Sequence, residues 1–78
     1  MMKNPVLFSN KKDQTIFIYQ KYDNSYFQLS QLNKGETTIL NIPNDSYILV
    51  KRGCPIKDII FPYETILETK LNLNYFHF

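Results

Sequence analysis

Cysteine, histidine, arginine and glycine are scarce in this sequence, and each shortage argues against a class of function. The 78 residues include one cysteine, Cys54, one histidine, His77, and one arginine, Arg52. A lone cysteine excludes an internal disulfide, and a small domain without one suits a reducing compartment. No metal-ligand spacing and no glycine-rich phosphate loop is found, so the sequence predicts neither a metal nor another cofactor.

Long apolar runs and dense charge are also lacking. The apolar run Pro5-Val6-Leu7-Phe8 is too short for a signal peptide, and no segment has transmembrane length, which predicts a cytoplasmic protein without membrane contact. A net charge of +2 with scattered lysines does not favour a polyanionic partner. With only two glycines and 21% charged residues, disorder is not expected either.

What the sequence does contain is aromatic and β-branched residues, in short runs between turn formers. Hydrophobic residues make up 44% of the chain and aromatic residues 15%, enough for one small domain, residues 1–78, of modest stability. The runs predict an all-β fold, a small antiparallel β-sandwich or barrel of about six to seven short strands. The clearest are Gln14–Gln20, Tyr26–Leu29, Glu36–Ile42, Ser46–Arg52, Ile56–Phe61 and Leu67–Tyr75.

The first of these runs is apolar on both faces, which is typical of an interior strand. Residues Tyr22–Ser25 favour a turn after it, so Tyr26–Leu29 is expected to pair back on Gln14–Gln20. A further loop is predicted at Leu32–Gly35, with Gly35 at a positive φ.

The middle of the sequence, GETTILNIPNDSYILVKRG, predicts a β-hairpin from Gly35 to Gly53 that reverses at Pro43-Asn44-Asp45. After it, Pro62 is expected to end the strand Ile56–Phe61, because proline cannot donate to a sheet ladder. From residue 67 the residues alternate with a period of two, which predicts one strand with a buried face. That face would hold Leu67, Thr69, Leu71, Leu73 and Tyr75, and would leave Phe76 pointing outward.

A family resemblance is carried by the same middle segment. In PEGA-type and transthyretin-like small β-sandwich modules, a strand leads into a turn, and a tyrosine after that turn opens a hydrophobic strand that ends near a glycine. Here Ile42-Pro43-Asn44-Asp45-Ser46-Tyr47, followed by Gly53, resembles that arrangement over residues 35–75. The resemblance implies a β-sandwich fold, and no functional residue is carried over from it.

Residues for catalysis are few. Cys54 and His77 could form a nucleophile pair, but no local signature supports one, so a buried structural thiol and a solvated tail histidine are the simpler expectations. Asp23 and Asp45 are accounted for as turn formers. The sequence therefore predicts a protein that is not an enzyme.

The surplus of aromatic residues is the remaining functional signal. One interpretation places Phe17, Phe27 and Tyr75 in the core and leaves the tyrosines half-buried around it. The other is a binding patch, because tyrosine provides contact area at a low entropic cost. Its candidate residues are Tyr22, Tyr26, Tyr63, Phe76 and Phe78, the last two anchored on the domain's own open edge or on a second chain.

The function that follows is a protein-protein interaction module, an adaptor or inhibitor that occupies a surface of a larger partner, of the kind that phages and mobile elements encode. A homodimer through the C-terminal strand edge is a further expectation. The alternative is a barrel of oligonucleotide-binding type whose tyrosines stack on single-stranded nucleic acid. The low net charge and scarce arginine count against that alternative.

Overall fold

Seven strands form the described part of the molecule, and they are arranged in two sheets. The computed structural model describes residues 2–56 and 59–78, and their side chains outside 55–63. The strands are β1 (Lys3–Ser9), β2 (Thr15–Tyr22), β3 (Ser25–Leu32), β4 (Thr37–Pro43), β5 (Tyr47–Ile56), β6 (Ile59–Lys70) and β7 (Tyr75–His77). The prediction of a small all-β domain with about seven strands is confirmed.

The two sheets differ in size and in strand direction. The smaller has three strands in the order β4-β1-β7, and the larger has four in the order β3-β2-β5-β6. All neighbouring strands are antiparallel except β1 and β7, which run parallel. The described residues include no helix that is long and apolar enough to cross a membrane.

Strand β2 has the interior position that its composition predicts, since it is paired on both sides. Ile16 and Ile18 belong to the core, and Phe17 between them faces the other side of the sheet but is also buried. The turn to β3 places Asp23 at a φ of 55°, a conformation that aspartate tolerates better than most residues. Gly35 has a φ of 81°, as expected.

The core lies between the two sheets and takes residues from both. The three-stranded sheet contributes Val6, Phe8, Ile42 and Phe76, and the four-stranded sheet contributes Ile16, Ile18, Leu32, Ile48 and Val50. Complete burial of one such side chain is worth about 1.5–3 kcal/mol, so these nine supply most of the cohesion between the sheets. The fold is therefore a small β-sandwich.

The predicted hairpin from Gly35 to Gly53 is wrong, although its turn is present. Asp45 has a φ of 64°, and Ser46 closes the turn by donating from Oγ to the Pro43 carbonyl at 2.7 Å. However, β4 and β5 belong to different sheets. Because Ile42 and Ile48 are both buried in the core, the turn carries the chain across the sandwich instead of back along one sheet.

The single strand predicted over Leu67–Tyr75 is also wrong. Strand β6 ends at Lys70, and residues 71–74 cross to the other sheet, with the Leu71 N–H donating to the Ser46 carbonyl at 2.7 Å. Because of this crossing, the alternation of buried and exposed residues in β6 does not continue into β7. Tyr75 is consequently 58% exposed and Phe76 only 8% exposed, the reverse of the expectation.

The strand predicted over Ile56–Phe61 is wrong in its bounds, because Ile56 is the last residue of β5 and β6 runs from Ile59 through Pro62 to Lys70. Strand β6 is the edge strand of its sheet, and Pro62 stands opposite Gly53, next to a register shift in the β5–β6 pairing. An edge strand can accommodate proline, because a missing N–H on the solvent side breaks no ladder hydrogen bond. Pro62 therefore does not end the strand.

The last residues are anchored, and their anchor is the domain itself. The Phe78 N–H donates to the Ser9 carbonyl at 2.8 Å, and the Lys11 N–H donates to the Phe78 carbonyl at 2.6 Å. The rings of Phe8 and Phe76 are stacked with centroids 5.4 Å apart. Of the predicted aromatic core, Phe17 is confirmed, whereas Phe27 and Tyr75 are wrong because both are exposed.

Candidate functional site

The outer face of the four-stranded sheet carries a cluster of tyrosines around one lysine. Lys21 on β2 stands directly opposite Tyr26 on β3 and directly opposite Tyr47 on β5. Two positions along the same face, Tyr19 stands opposite Leu49. We call the surface formed by Tyr19, Lys21, Tyr26, Tyr47 and Leu49 the tyrosine face.

Lys21 binds the two tyrosine rings by cation–π contacts. Its Nζ atom lies 5.4 Å from the ring centroid of Tyr47 and 6.0 Å from that of Tyr26. At exposed sites each such contact contributes about 0.5–1 kcal/mol. The Tyr26 hydroxyl also donates to Glu68 Oε1 on β6 at 3.2 Å, so this side chain reaches across the face. The cluster is thus held in place by contacts within the molecule.

Two tyrosines of this face have altered acidity. Partial burial raises the pKa of the Tyr19 hydroxyl. Loss of solvent contact also raises the pKa of Tyr26, and its hydrogen bond to the Glu68 carboxylate adds to the effect. Both hydroxyls are therefore neutral hydrogen-bond donors at physiological pH.

An open cleft of about 830 Å³ adjoins the tyrosine face. It lies beside the turn between β4 and β5, and residues of both sheets line it. Lys21 and Tyr47 line it from the tyrosine face, and Tyr22, Leu29, Asn41 and Ser46 are among the other lining residues. A volume of this order is within the range of small-ligand pockets, and it is large enough to receive an aromatic side chain. We call it the end cleft.

The predicted binding residues fall in different places. Tyr22 is 63% exposed and lines the end cleft, and Tyr26 belongs to the tyrosine face, so these two lie at one site. Phe76 is buried in the core and Phe78 packs against it, so neither is brought to that site. The side chain of Tyr63 lies outside those that the structure describes.

Of the tyrosine face, only Tyr26 was among the predicted binding residues, and four residues were missed: Tyr19, Lys21, Tyr47 and Leu49. Tyr47 opens a run whose next residue is a core isoleucine, so its sequence context indicates a strand and not an exposed ring. The sequence signal that could have identified them is the alternation of inward and outward side chains, carried over from one strand to its paired neighbour. That signal depends on knowing that β2 neighbours β5, and the distance between them in the sequence hides this pairing.

The residues considered for catalysis, Cys54 and His77, belong to strands of different sheets. His77 belongs to β7, not to a frayed tail, and its Nδ1 atom lies 2.7 Å from Ser9 Oγ. Cys54 is exposed, which corrects the expected burial. It follows the buried Gly53, and alternation along β5 turns its thiol to the opposite side. Within the described residues, no three His, Cys, Asp or Glu side chains form a group able to hold a metal.

The fold and this surface define a small all-β sandwich with an organised tyrosine face beside an open cleft. Comparison with protein-family models, with curated proteins and with solved structures finds no match. The resemblance to PEGA-type and transthyretin-like modules remains a prediction.

Proposed function

We propose that this protein is a non-enzymatic interaction module of the cytoplasm, an adaptor or inhibitor that binds a protein partner through the tyrosine face. The observation that carries the proposal is the arrangement of Lys21 between Tyr26 and Tyr47 on the outer face of the four-stranded sheet. Tyrosines that are held in place lose little entropy when a partner binds, and they are enriched among residues that dominate binding energy. The end cleft offers a place for one partner side chain.

The lysines on the outer face of the four-stranded sheet support a nucleic-acid partner as the second candidate. The outer face of the four-stranded sheet carries Lys21, Lys51 and Lys70, which the register places opposite Tyr47, Phe17 and Tyr47 respectively. Lysines interleaved with tyrosines on a sheet are a common platform for single-stranded nucleic acid.

Two features of the same face favour a protein partner over a nucleic acid. Bases stack on open ring faces, whereas Lys21 lies over the rings of both Tyr26 and Tyr47. The ammonium of Lys70 lies 3.9 Å from the Asp45 carboxylate, so part of the positive charge is compensated within the molecule. The surface is therefore better suited to mixed polar and apolar contacts than to a phosphate backbone.

The test is a capture experiment from extract of the native host, with the immobilised protein and with nuclease present throughout. We expect a partner to be retained by the wild type and lost with Tyr26→Ala and Tyr47→Ala, each costing roughly 1 to 3 kcal/mol of binding free energy. Tyr75→Ala is the control, since Tyr75 is another exposed tyrosine, at 58% against 39% for Tyr26 and 36% for Tyr47, but lies on the other sheet. Circular dichroism of each variant verifies the fold.

A second measurement separates the two classes of partner. A fluorescent oligothymidylate is titrated with the protein at about 50 mM and about 200 mM salt, a range over which nucleic-acid binding weakens steeply. No binding to the oligonucleotide is expected. Salt-sensitive binding of the oligonucleotide that Tyr26→Ala abolishes would mean that the tyrosine face binds single-stranded nucleic acid and not a protein. Retention of the captured partner by both tyrosine variants would place its binding site elsewhere.

A further inference from the structure

The free edge of β4 has backbone hydrogen-bonding groups that nothing in the described part of the chain uses. In an antiparallel pair, alternate residues direct both their N–H and their C=O toward the partner strand. The Asn44 N–H donates to the Met2 carbonyl, and the Asn10 N–H donates to the Glu36 carbonyl, so even-numbered residues face across the β1–β4 pair.

The hydrogen bonds of the β1–β7 pair independently show which residues of β1 direct their backbone groups away from β4. The Leu7 N–H donates to the Asn74 carbonyl, and the Ser9 carbonyl accepts from the Phe78 N–H, so these two residues are directed toward β7 and away from β4. Their partners on β4 are Ile39 and Thr37. The N–H and C=O groups of Thr37, Ile39 and Asn41 consequently point out of the sheet, and all three residues are exposed.

The other edge strands carry features that discourage strand addition, and β4 does not. Natural edges are protected by bulges, proline, charged side chains or short length. Strand β3 has a bulge opposite Ile18 and Tyr19, β6 has two register shifts, Pro62 and several charges, and β7 is three residues long. The β4 pairing with β1 shows no shift, and its sequence TTILNIP has no charge and places its proline last.

A second copy of β4 complements this edge. If two β4 strands meet antiparallel about a twofold axis at Ile39, Thr37 of each copy stands opposite Asn41 of the other. All the outward N–H and C=O groups of these residues then find partners. The side chain of Ile39 is 62% exposed, and it would contact its own counterpart across the axis.

The apolar surface next to Ile39 extends this match. On the outer face of the three-stranded sheet, Ile39, Leu7 and Tyr75 stand in one row across β4, β1 and β7. Twofold pairing would join the two rows into one apolar stripe over a continuous six-stranded sheet.

We propose that the protein forms a homodimer by antiparallel addition of β4 to β4. The dimer goes beyond the function proposed above, because it uses a different sheet from the tyrosine face. Five residues of edge form a small interface, so association is weak and depends on concentration. The two activities can be tested separately, since Tyr26→Ala and Tyr47→Ala leave β4 unchanged.

Sedimentation equilibrium of the purified protein from about 10 µM to about 1 mM, concentrations that span weak affinities, tests the proposal. We expect the average mass to rise from 9.3 kDa toward twice that value. Ile39→Lys should raise the dissociation constant at least about tenfold, because it places two like charges at the axis. Ile39→Pro should do the same without unfolding the protein, since the N–H that it removes faces solvent.

Leu73→Lys is the matched control, because Leu73 is a similarly exposed apolar residue outside β4. This variant should dimerise as the wild type does. A wild type that stays monomeric throughout the concentration range would overturn the proposal. Undiminished dimerisation of both Ile39 variants, with circular dichroism showing that they fold, would overturn it equally.

Discussion

Phe76 and Phe27 are residues of one type with opposite environments. Phe76 is 8% exposed and stacks on Phe8, whereas Phe27 is 57% exposed on the edge strand β3. Phe27 stands opposite Gln20, in a row that faces the interior side but lies toward the open end of the sandwich. The burial of a phenylalanine therefore depends less on its residue type than on whether the opposite sheet covers that part of its strand.

Replacement of these two phenylalanines by alanine should separate their roles. Phe76→Ala leaves a cavity in the core and should lower the free energy of unfolding by roughly 3–5 kcal/mol, while Phe27→Ala should change it by less than about 1 kcal/mol. Urea denaturation followed by circular dichroism measures both. Phe76→Leu provides a milder variant if Phe76→Ala does not fold. Equal effects of the two alanine substitutions would contradict the assigned burial.

At the scale of elements, the turns were more predictable than the pairing of strands. Asp23, Gly35 and Asp45 adopt positive φ angles at the predicted turns, because the need for such an angle is met locally by the residue type. Whether the next strand pairs back or crosses to the other sheet depends on distant partners. The segment after Asp45 illustrates this, because its turn was predicted correctly and its hairpin was not.

One crossing is organised by a residue that the sequence did not single out. Asn10 is fully buried at the end of β1, and its Nδ2 atom donates to the carbonyls of Gln14 and Leu32 at 2.8 and 3.1 Å. Its Oδ1 atom accepts from the Lys12 N–H at 3.1 Å. A single side chain thereby joins the β1–β2 crossing to the end of β3.

Asn10→Ala should therefore lower the free energy of unfolding more than the loss of a polar side chain usually does. It removes three hydrogen bonds, of which the one to the Leu32 carbonyl is buried, and a buried group left without its partner costs about 1–3 kcal/mol. We expect the midpoint of urea unfolding to fall clearly, with Asn72→Ala, at an exposed asparagine, as the control. A loss within about 0.5 kcal/mol of the control would show that water replaces the Asn10 contacts.

At the scale of the whole molecule, composition and strand patterns were sufficient to predict the class of fold. They could not assign strands to sheets, and the candidate site depended on that assignment. Tyr22 and Tyr26 were identified because they flank a turn, where exposure is a local property. Phe76 was misplaced because its orientation is set after a crossing, where the alternation begins again.

The position of β1 between β4 and β7 also affects the order in which the strands pair during folding. Hairpins β2–β3 and β5–β6 join neighbours in the sequence, whereas Ser9 and His77, paired across β1 and β7, are 68 residues apart. Such distant contacts cost more loop-closure entropy and slow folding, toward milliseconds to seconds in all-β domains, at roughly the same stability. We therefore expect pulsed hydrogen exchange during refolding to protect the amides of β2 and β5 before those of β1. Protection of β1 first would mean that the two ends of the chain meet before the hairpins form.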